Sequence, residues 1–180
     1  MTGVLEEPSA ADQMAFLTAV ARSRRLHARL VSPPATPEAF ERYLERSRAP
    51  SQVGYWVRSP DGELAGVINI SEIVRGVFCS AYLGYYAFSP HNGRGHMTRG
   101  MRAVLREAFV THRLHRLEAN IQPGNEASSA LIRRVGFSLE GFSPRYLKVG
   151  GRWRDHERWA LTVESWRARR RTGSAREETV

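Results

Sequence analysis

Cysteine occurs once in this 180-residue chain, at Cys79, so no internal disulfide can form and no cysteine cluster can hold a metal. That thiol lies within or just before an apolar strand-like run, where an inert buried cysteine is expected. Lysine is equally scarce: of 27 basic residues only Lys148 is a lysine. No apolar run approaches the roughly 20 residues that span a bilayer. The opening MTGVLEEPS carries acidic residues where a signal peptide carries basic ones. These absences together lead to the expectation of a cytoplasmic protein without membrane contact. GxxxxGK[ST] is missing, which excludes a Walker-type nucleotide site, and GxSxG is missing as well. His91, His96, His112, His115 and His156 show neither HExxH nor any other paired-ligand spacing, so no metal site is expected.

What is present is the balance of an ordinary globular domain, 42% hydrophobic and 25% charged residues, at a length suited to one core. The formal net charge of +9 is more pointed. Much of the excess sits in RSRRLHAR (22–29) and WRARRRTGSAREE (166–178). Such clusters suit weak contact with RNA or the ribosome, although a solvated surface is the plainer account. The reading places one domain over residues 1–165 and an arginine-rich tail without fixed structure over 166–180.

Hydrophobic spacing predicts an amphipathic helix over 10–29, with Met14, Leu17, Val20, Ala21 and Ala28 on its apolar side. A second helix is expected after Thr36-Pro37-Glu38, where Thr caps and Pro suits the first turn. YWVRS (55–59) and ELAGVINISEIV (63–74), joined by Pro60-Asp61-Gly62, read as an antiparallel hairpin. CSAYLGYYAF (79–88) adds a strand, and Met97, Met101, Val104, Leu105, Ala108 and Phe109 mark one face of a helix over 97–112. RLEANI (116–121) is a strand, Asn125 caps a short helix ended by Gly136, and two strands joined near Val149-Gly150-Gly151 close the domain. Strand 79–88, helix 97–112 and strand 116–121 form a βαβ crossover, so those strands should be parallel neighbours. The fold class is therefore α/β (α+β), a mixed and mostly antiparallel sheet with one parallel pair and helices on both faces.

The loop SPHNGRGHMTRG (89–100) joins that parallel-pair strand to the helix. A strand end, a glycine turn and a helix start converge several backbone N–H groups and the positive end of the helix dipole on one point. Gly93 and Gly95 allow positive φ and leave no Cβ in the way of a phosphate, and Arg94 and Arg99 add charge. A plain βα turn would also use glycine, so the loop alone leaves both readings open. A Rossmann loop does not fit, because NGRGHM follows a region read as antiparallel.

YLGYYAFSPHNGRGHMTRGM, then HRLEANIQPGNEASSALIRRVGFSLEGF, then YLKVGGRWRDHERWALT, resembles the GCN5-related N-acetyltransferase (GNAT) superfamily, most closely its RimJ-type ribosomal-protein alanine N-acetyltransferases. The likeness runs from about Gly66 to Thr162. It implies a single-domain GNAT fold with acetyl-CoA as co-substrate. In the superfamily the phosphate loop reads Gln/Arg-x-x-Gly-x-Gly/Ala, and the aligned residues here are Asn92, Gly95 and Met97. The implied cofactor contacts are Asn92, Gly93, Arg94, Gly95, His96, Met97, Thr98 and Asn125, with backbone groups of Ala87 and Phe88 meeting the pantetheine arm and the thioester oxygen.

For chemistry, the resemblance implies Ser128 as the group that donates to the departing thiolate, since Ile132 stands where many members carry a tyrosine. Asn120 stands where some members place a glutamate base. Glu118, two residues away on the same strand face, is then the first candidate base, and Glu72 or Asp155-His156 are lesser ones. Asn120 and Tyr85 are expected along the acceptor cleft. The expected activity is acetyl transfer to a protein N-terminus. Acetylation of a small-molecule amine, or a non-catalytic RNA- or partner-binding role, stands as an alternative. Monomer and homodimer both stay open.

Overall fold

The computed structural model describes residues 4–177, with side chains described as far as residue 171. Seven strands form one sheet in the order β1-β2-β3-β4-β5-β7-β6. They are β1 (Leu5–Glu6), β2 (Val53–Arg58), β3 (Leu64–Val74), β4 (Ser80–Ala87), β5 (Arg116–Ile121), β6 (Ser138–Val149) and β7 (Arg152–Thr162). Every neighbouring pair is antiparallel except β4–β5, the parallel pair that the crossover predicts. The helices are α1 (Gln13–Arg22), α2 (Arg24–His27), α3 (Pro37–Ser47), α4 (His96–Arg106), α5 (Glu126–Val135) and α6 (Val163–Glu177). The last turn of α4 widens into a π-helical stretch, Glu107–Thr111.

Two apolar clusters sit on opposite faces of this sheet. On one face Met101, Val104, Leu105 and Ala108 of α4, with Leu131, Ile132 and Val135 of α5, pack on Val57, Ile68, Ile70, Leu83, Leu117 and Ala119. On the other, Phe16, Ala19 and Val20 of α1 and Phe40, Tyr43 and Leu44 of α3 pack on Trp56, Val67 and Phe88. Phe16 lies at the centre, with Phe40, Trp56 and Phe88 at 5.0, 5.2 and 5.7 Å between ring centroids. Strand alternation feeds both clusters, because β2 and β3 send alternate side chains into each of them. Close helix-to-sheet approach occurs at Gly100, where an added Cβ would lie 2.6 Å from Val57 Cγ2.

Three expectations change. The helix read over 10–29 is broken: a short 3₁₀ turn (Ala10–Asp12) precedes α1, and the chain bends at Ser23 before α2. Ser23 is buried, and its hydroxyl accepts the Ser89 N–H at 2.9 Å, so a tertiary partner outcompetes helix continuation. Met14 faces solvent at 75% exposure, and Phe16 takes the inward position assigned to it. At the other end, the segment from residue 166 continues the helix α6 instead of leaving the fold. Trp166 packs on Phe109 at 5.4 Å and Arg170 lies over the Trp166 ring at 4.9 Å, which anchors arginines that are good helix formers. Residues 178–180 of the expected tail lie outside the described residues. Cys79 is half-buried, with positive φ and its thiol donating to the Arg113 carbonyl at 3.2 Å, so it serves the turn into β4 and not the core.

Candidate active site

Leu83 with Ala119 is the last paired position of β4 and β5. Beyond it β4 continues to Ala87 beside β3, and β5 continues to Ile121 beside β7. The two parallel strands thus part in mid-sheet and leave a wedge-shaped opening. Alternation decides which backbone groups face it. Phe88 gives its N–H to Ala65 of β3 at 2.8 Å, whereas the Cys79 carbonyl accepts N–H groups of His115 and Arg116 on the β5 side. Odd-numbered residues of β4 therefore turn toward β5, and Tyr85 and Ala87 direct their N–H and C=O into the opening. Phe88, expected with Ala87 at this point, has its amide committed to β3 and its ring fully buried. Tyr85, not Phe88, turns its backbone groups into the opening together with Ala87.

One end of the wedge meets the start of α4. Gly95 is the cap residue, at φ 81°, and no side chain caps this helix. Gly93 has φ 76°, and a Cβ added at either glycine would meet nothing within 4 Å. The loop thus presents uncapped amides of the first turn, His96, Met97 and Thr98, toward open space, the arrangement that binds phosphate. Asn92, Gly93, Arg94 and Gly95 are exposed, and Thr98 is half-buried. The His96 side chain does not join them. Its ring is buried edge-on against His91 at 5.8 Å, and its Nδ1 accepts from Arg99 Nη2 at 2.7 Å. Burial, with Arg99 nearby, holds its pKa below the usual range, so the neutral ring is a prop for the loop. Met97 packs back toward Gly66, where an added Cβ would lie 2.3 Å from the Met97 sulfur.

The other wall on this face is the first turn of α5. Asn125 Oδ1 accepts the Ser128 N–H at 3.3 Å, an N-cap, and Gly136 closes the helix at φ 110°. The Tyr85 hydroxyl donates to the Ser128 carbonyl at 3.4 Å and ties β4 to α5 across the wedge. Burial raises the Tyr85 pKa well above the tyrosine range, so it stays a donor. Tyr85 was expected along the acceptor cleft. Its phenol lies instead on the α4–α5 face, because its neighbours Ala81 and Leu83 belong to that cluster.

Glu118 and Asn120 lie on the opposite face, out of alternation with the buried Leu117, Ala119 and Ile121. Glu118 is held by Arg116 at 2.8 Å, and Arg116 also binds Glu140 at 2.5 Å. It pairs with Tyr82, one step back inside the closed ladder, so its carboxylate points away from the opening and is not brought to Ser128. Asn120 stands at the opening itself. Its Oδ1 is shielded from water and has no hydrogen-bond partner. The lesser base candidates are structural too: Glu72 is an exposed bulge residue at φ 52°, Asp155 accepts the Arg145 N–H at 2.7 Å, and His156 is buried.

Sequence reasoning passed over His27. From α2 its Nε2 donates to the Ala87 carbonyl at 2.8 Å, which fixes the tautomer, while the buried Nδ1 has no partner. Burial lowers its pKa, so the ring is neutral. Gln122 Nε2 donates to the carbonyls of Arg29 (3.0 Å) and Leu30 (3.3 Å). The end of α2 and the residues after it are therefore fastened to the ends of both parting strands. No local pattern marks either contact, since each spans 60 residues or more.

The family model described as an acetyltransferase (GNAT) domain matches residues 4–138. The [ribosomal protein uS5]-alanine N-acetyltransferase of Escherichia coli is 41% identical over 104 residues, 58% of this chain and 54% of that enzyme. The chain thus spans about half the length of that relative. A probable N-acetyltransferase of Bacillus subtilis, YjcK, is 33% identical over 66% of each chain. Among solved structures, Mycobacterium smegmatis RimJ in complex with CoA-disulfide superposes with a TM-score of 0.82 at 28% identity, covering 89% of this chain and 81% of that one. Spermidine N-acetyltransferase from Vibrio cholerae shares the fold at a TM-score of 0.76 and 18% identity. With the mixed seven-stranded sheet, its single parallel pair and the wedge between those strands, this chain belongs to the GNAT acetyltransferase family.

Proposed function

We propose that this protein is an acetyl-CoA-dependent N-acetyltransferase whose acceptor is the α-amino group of a protein N-terminus. The observation that carries the reading is the wedge between β4 and β5, with uncapped helix amides on one side and an unpartnered amide oxygen on the other. Acetyl-CoA supplies an acyl group already activated as a thioester. The amides of Gly93 to Thr98 suit its phosphates, and the open space over Gly93 and Gly95 fits their approach. N–H groups of Tyr85 and Ala87, directed into the wedge, lie where they stabilise negative charge developing on the thioester oxygen. The amine nitrogen attacks the thioester carbon and forms the new amide bond, the carbon–sulfur bond breaks, Ser128 on the α5 turn gives its proton to the sulfur that leaves, and the proton shed by the nitrogen passes through solvent to restore the serine hydroxyl.

The acceptor face favours an α-amino group. Glu118, the carboxylate on β5, is tied to Arg116 one ladder step from the opening, so this strand offers no free base there for a strongly basic amine. An α-amino group has a reference pKa of about 7.7–8.0 and is partly neutral without help, whereas a lysine-like amine at about 10.4 is not. The 41% identity to a ribosomal-protein alanine N-acetyltransferase points the same way. The test is a panel assay with acetyl-CoA that follows free CoA thiol. Peptides beginning with a free alanine should turn over, and the same peptides with a blocked N-terminus but an internal lysine should not. Turnover confined to polyamines or amino sugars would overturn the protein-acceptor reading.

A further inference from the structure

Glycine in a central strand normally has a reason. Either its backbone takes a left-handed conformation, or a neighbouring group occupies the space of a side chain. Gly54 and Gly66 of the sheet meet the second condition, with added Cβ atoms 2.7 Å from the Tyr43 hydroxyl and 2.3 Å from the Met97 sulfur. Gly100 and Gly141 meet it too, at 2.6 Å from Val57 and 3.0 Å from Arg158. Between residues 4 and 151 the remaining glycines have positive φ, with one exception. Gly84 lies in β4, the middle strand of seven, without positive φ, and a Cβ there would meet nothing within 4 Å.

The surroundings say what that space faces. Gly84 is exposed in mid-sheet and pairs with Asn69, whose Oδ1 is already taken by the Tyr43 hydroxyl at 2.8 Å. On the other side, one step beyond the last β4–β5 pair of Leu83 with Ala119, stands Asn120 with its unpartnered Oδ1. Along the strand Tyr82 and Tyr86 flank the gap, and the Tyr86 hydroxyl is likewise buried without a partner. An empty floor, walled by two tyrosines and an asparagine acceptor, thus opens beside the wedge on the face away from α4.

We propose that Gly84 is the floor of the acceptor-amine site and sets the size of the group admitted there. The incoming primary amine rests its first carbon and substituent on the bare backbone of Gly84 and donates an N–H to Asn120 Oδ1, which a turn of that buried, unpartnered amide brings to the gap. From that position its lone pair points into the wedge, where a thioester carbon would lie if its oxygen is held by the backbone N–H groups of Tyr85 and Ala87. The inference rests on the acyl-transfer reading above, and it holds for any primary amine that proves to be the acceptor.

Gly84→Ala and Gly84→Val test it, since the strand backbone tolerates both. Expected are an unchanged or raised Tm, an unchanged dissociation constant for CoA by calorimetry, and a raised KM for the amine. The loss in kcat/KM should be about tenfold for Ala and about a hundredfold for Val, growing with the acceptor's first side chain. Asn120→Ala, which adds no bulk, should reproduce the KM effect. Wild-type kinetics in Gly84→Val, on an amine that the wild-type enzyme acetylates, overturn this inference alone. Loss of CoA affinity in step with turnover also overturns it, by moving the position to the cofactor side. Absence of turnover with every amine overturns both this inference and the reading it rests on.

Discussion

Ser128 and Glu118 were paired by sequence as acid and base, and the fold treats them differently. Ser128 sits half-buried at the first turn of α5, with its amide capped and its carbonyl held by Tyr85, so its hydroxyl is positioned by bonds that do not use it. Ser128→Ala should therefore lower kcat by about a hundredfold, the scale of a lost general acid, with CoA affinity unchanged by calorimetry. Glu118→Gln should change kcat by less than about threefold, because its carboxylate is an ion-pair member one ladder step from the opening. A hundredfold loss in Glu118→Gln would restore it as the base. The Arg116–Glu118 pairing was legible in principle, since residues two apart share a strand face. What no residue count could show is that the ladder ends at Leu83 and Ala119, which makes Asn120 the polar group at the opening.

At the scale of elements, α4 was the most legible, because a helix on a sheet reveals itself through a sustained apolar stripe. Its cap, Gly95, was legible only as a glycine of the loop that allows positive φ, and the lack of any side-chain cap is what leaves the amides for a ligand. Gly100 shows packing overruling propensity within this helix. Alanine is ordinarily better than glycine in a helix interior by about 1 kcal/mol, yet the added Cβ would press on Val57 at 2.6 Å. Overpacking of this kind costs about 1–3 kcal/mol, so Gly100→Ala should lower Tm by a few degrees in a thermal melt; a rise would show that β2 yields. The first helix was misread for the opposite reason. Its period continues through Ser23, but the buried hydroxyl is claimed by Ser89, sixty-six residues away.

The whole molecule joins two cores through one sheet, and its charges follow that division. Arg24 and Arg25 lie on the face of α1 and α3, while Arg167 and Arg170 lie on α6 beside the α4 face, so among the described residues these arginines form no single basic stripe. Two buried rings, His27 and His96, make stability depend on mildly acid pH. Burial lowers the pKa of both His27 and His96 relative to their unfolded values, so the unfolded chain binds more protons as pH falls. The stability tied to these rings is complete above the unfolded histidine pKa of about 6.5 and is lost as pH drops through that value toward the folded ones. Tm should thus decline between about pH 7 and pH 5, and His27→Gln, which keeps a donor for Ala87 but does not titrate, should flatten part of that decline. An identical pH profile in His27→Gln would remove this ring from the account.

The chain by itself determined most of the elements from β2 to β7, the capped start of α5, the parallel crossover and the resemblance to the family, because these rest on spacing within a few residues and on motifs in order along one strand-helix-strand unit. Tertiary structure alone decided where the sheet opens, which side of it each polar residue faces, and why SPHNGRGHMTRG leads to an opening at all. Those outcomes depend on ladder ends and on contacts such as His27 to Ala87 that join distant segments. Strand alternation assigns a residue to one of two faces, but only the packed sheet says which face holds a helix and which is left bare over Gly84.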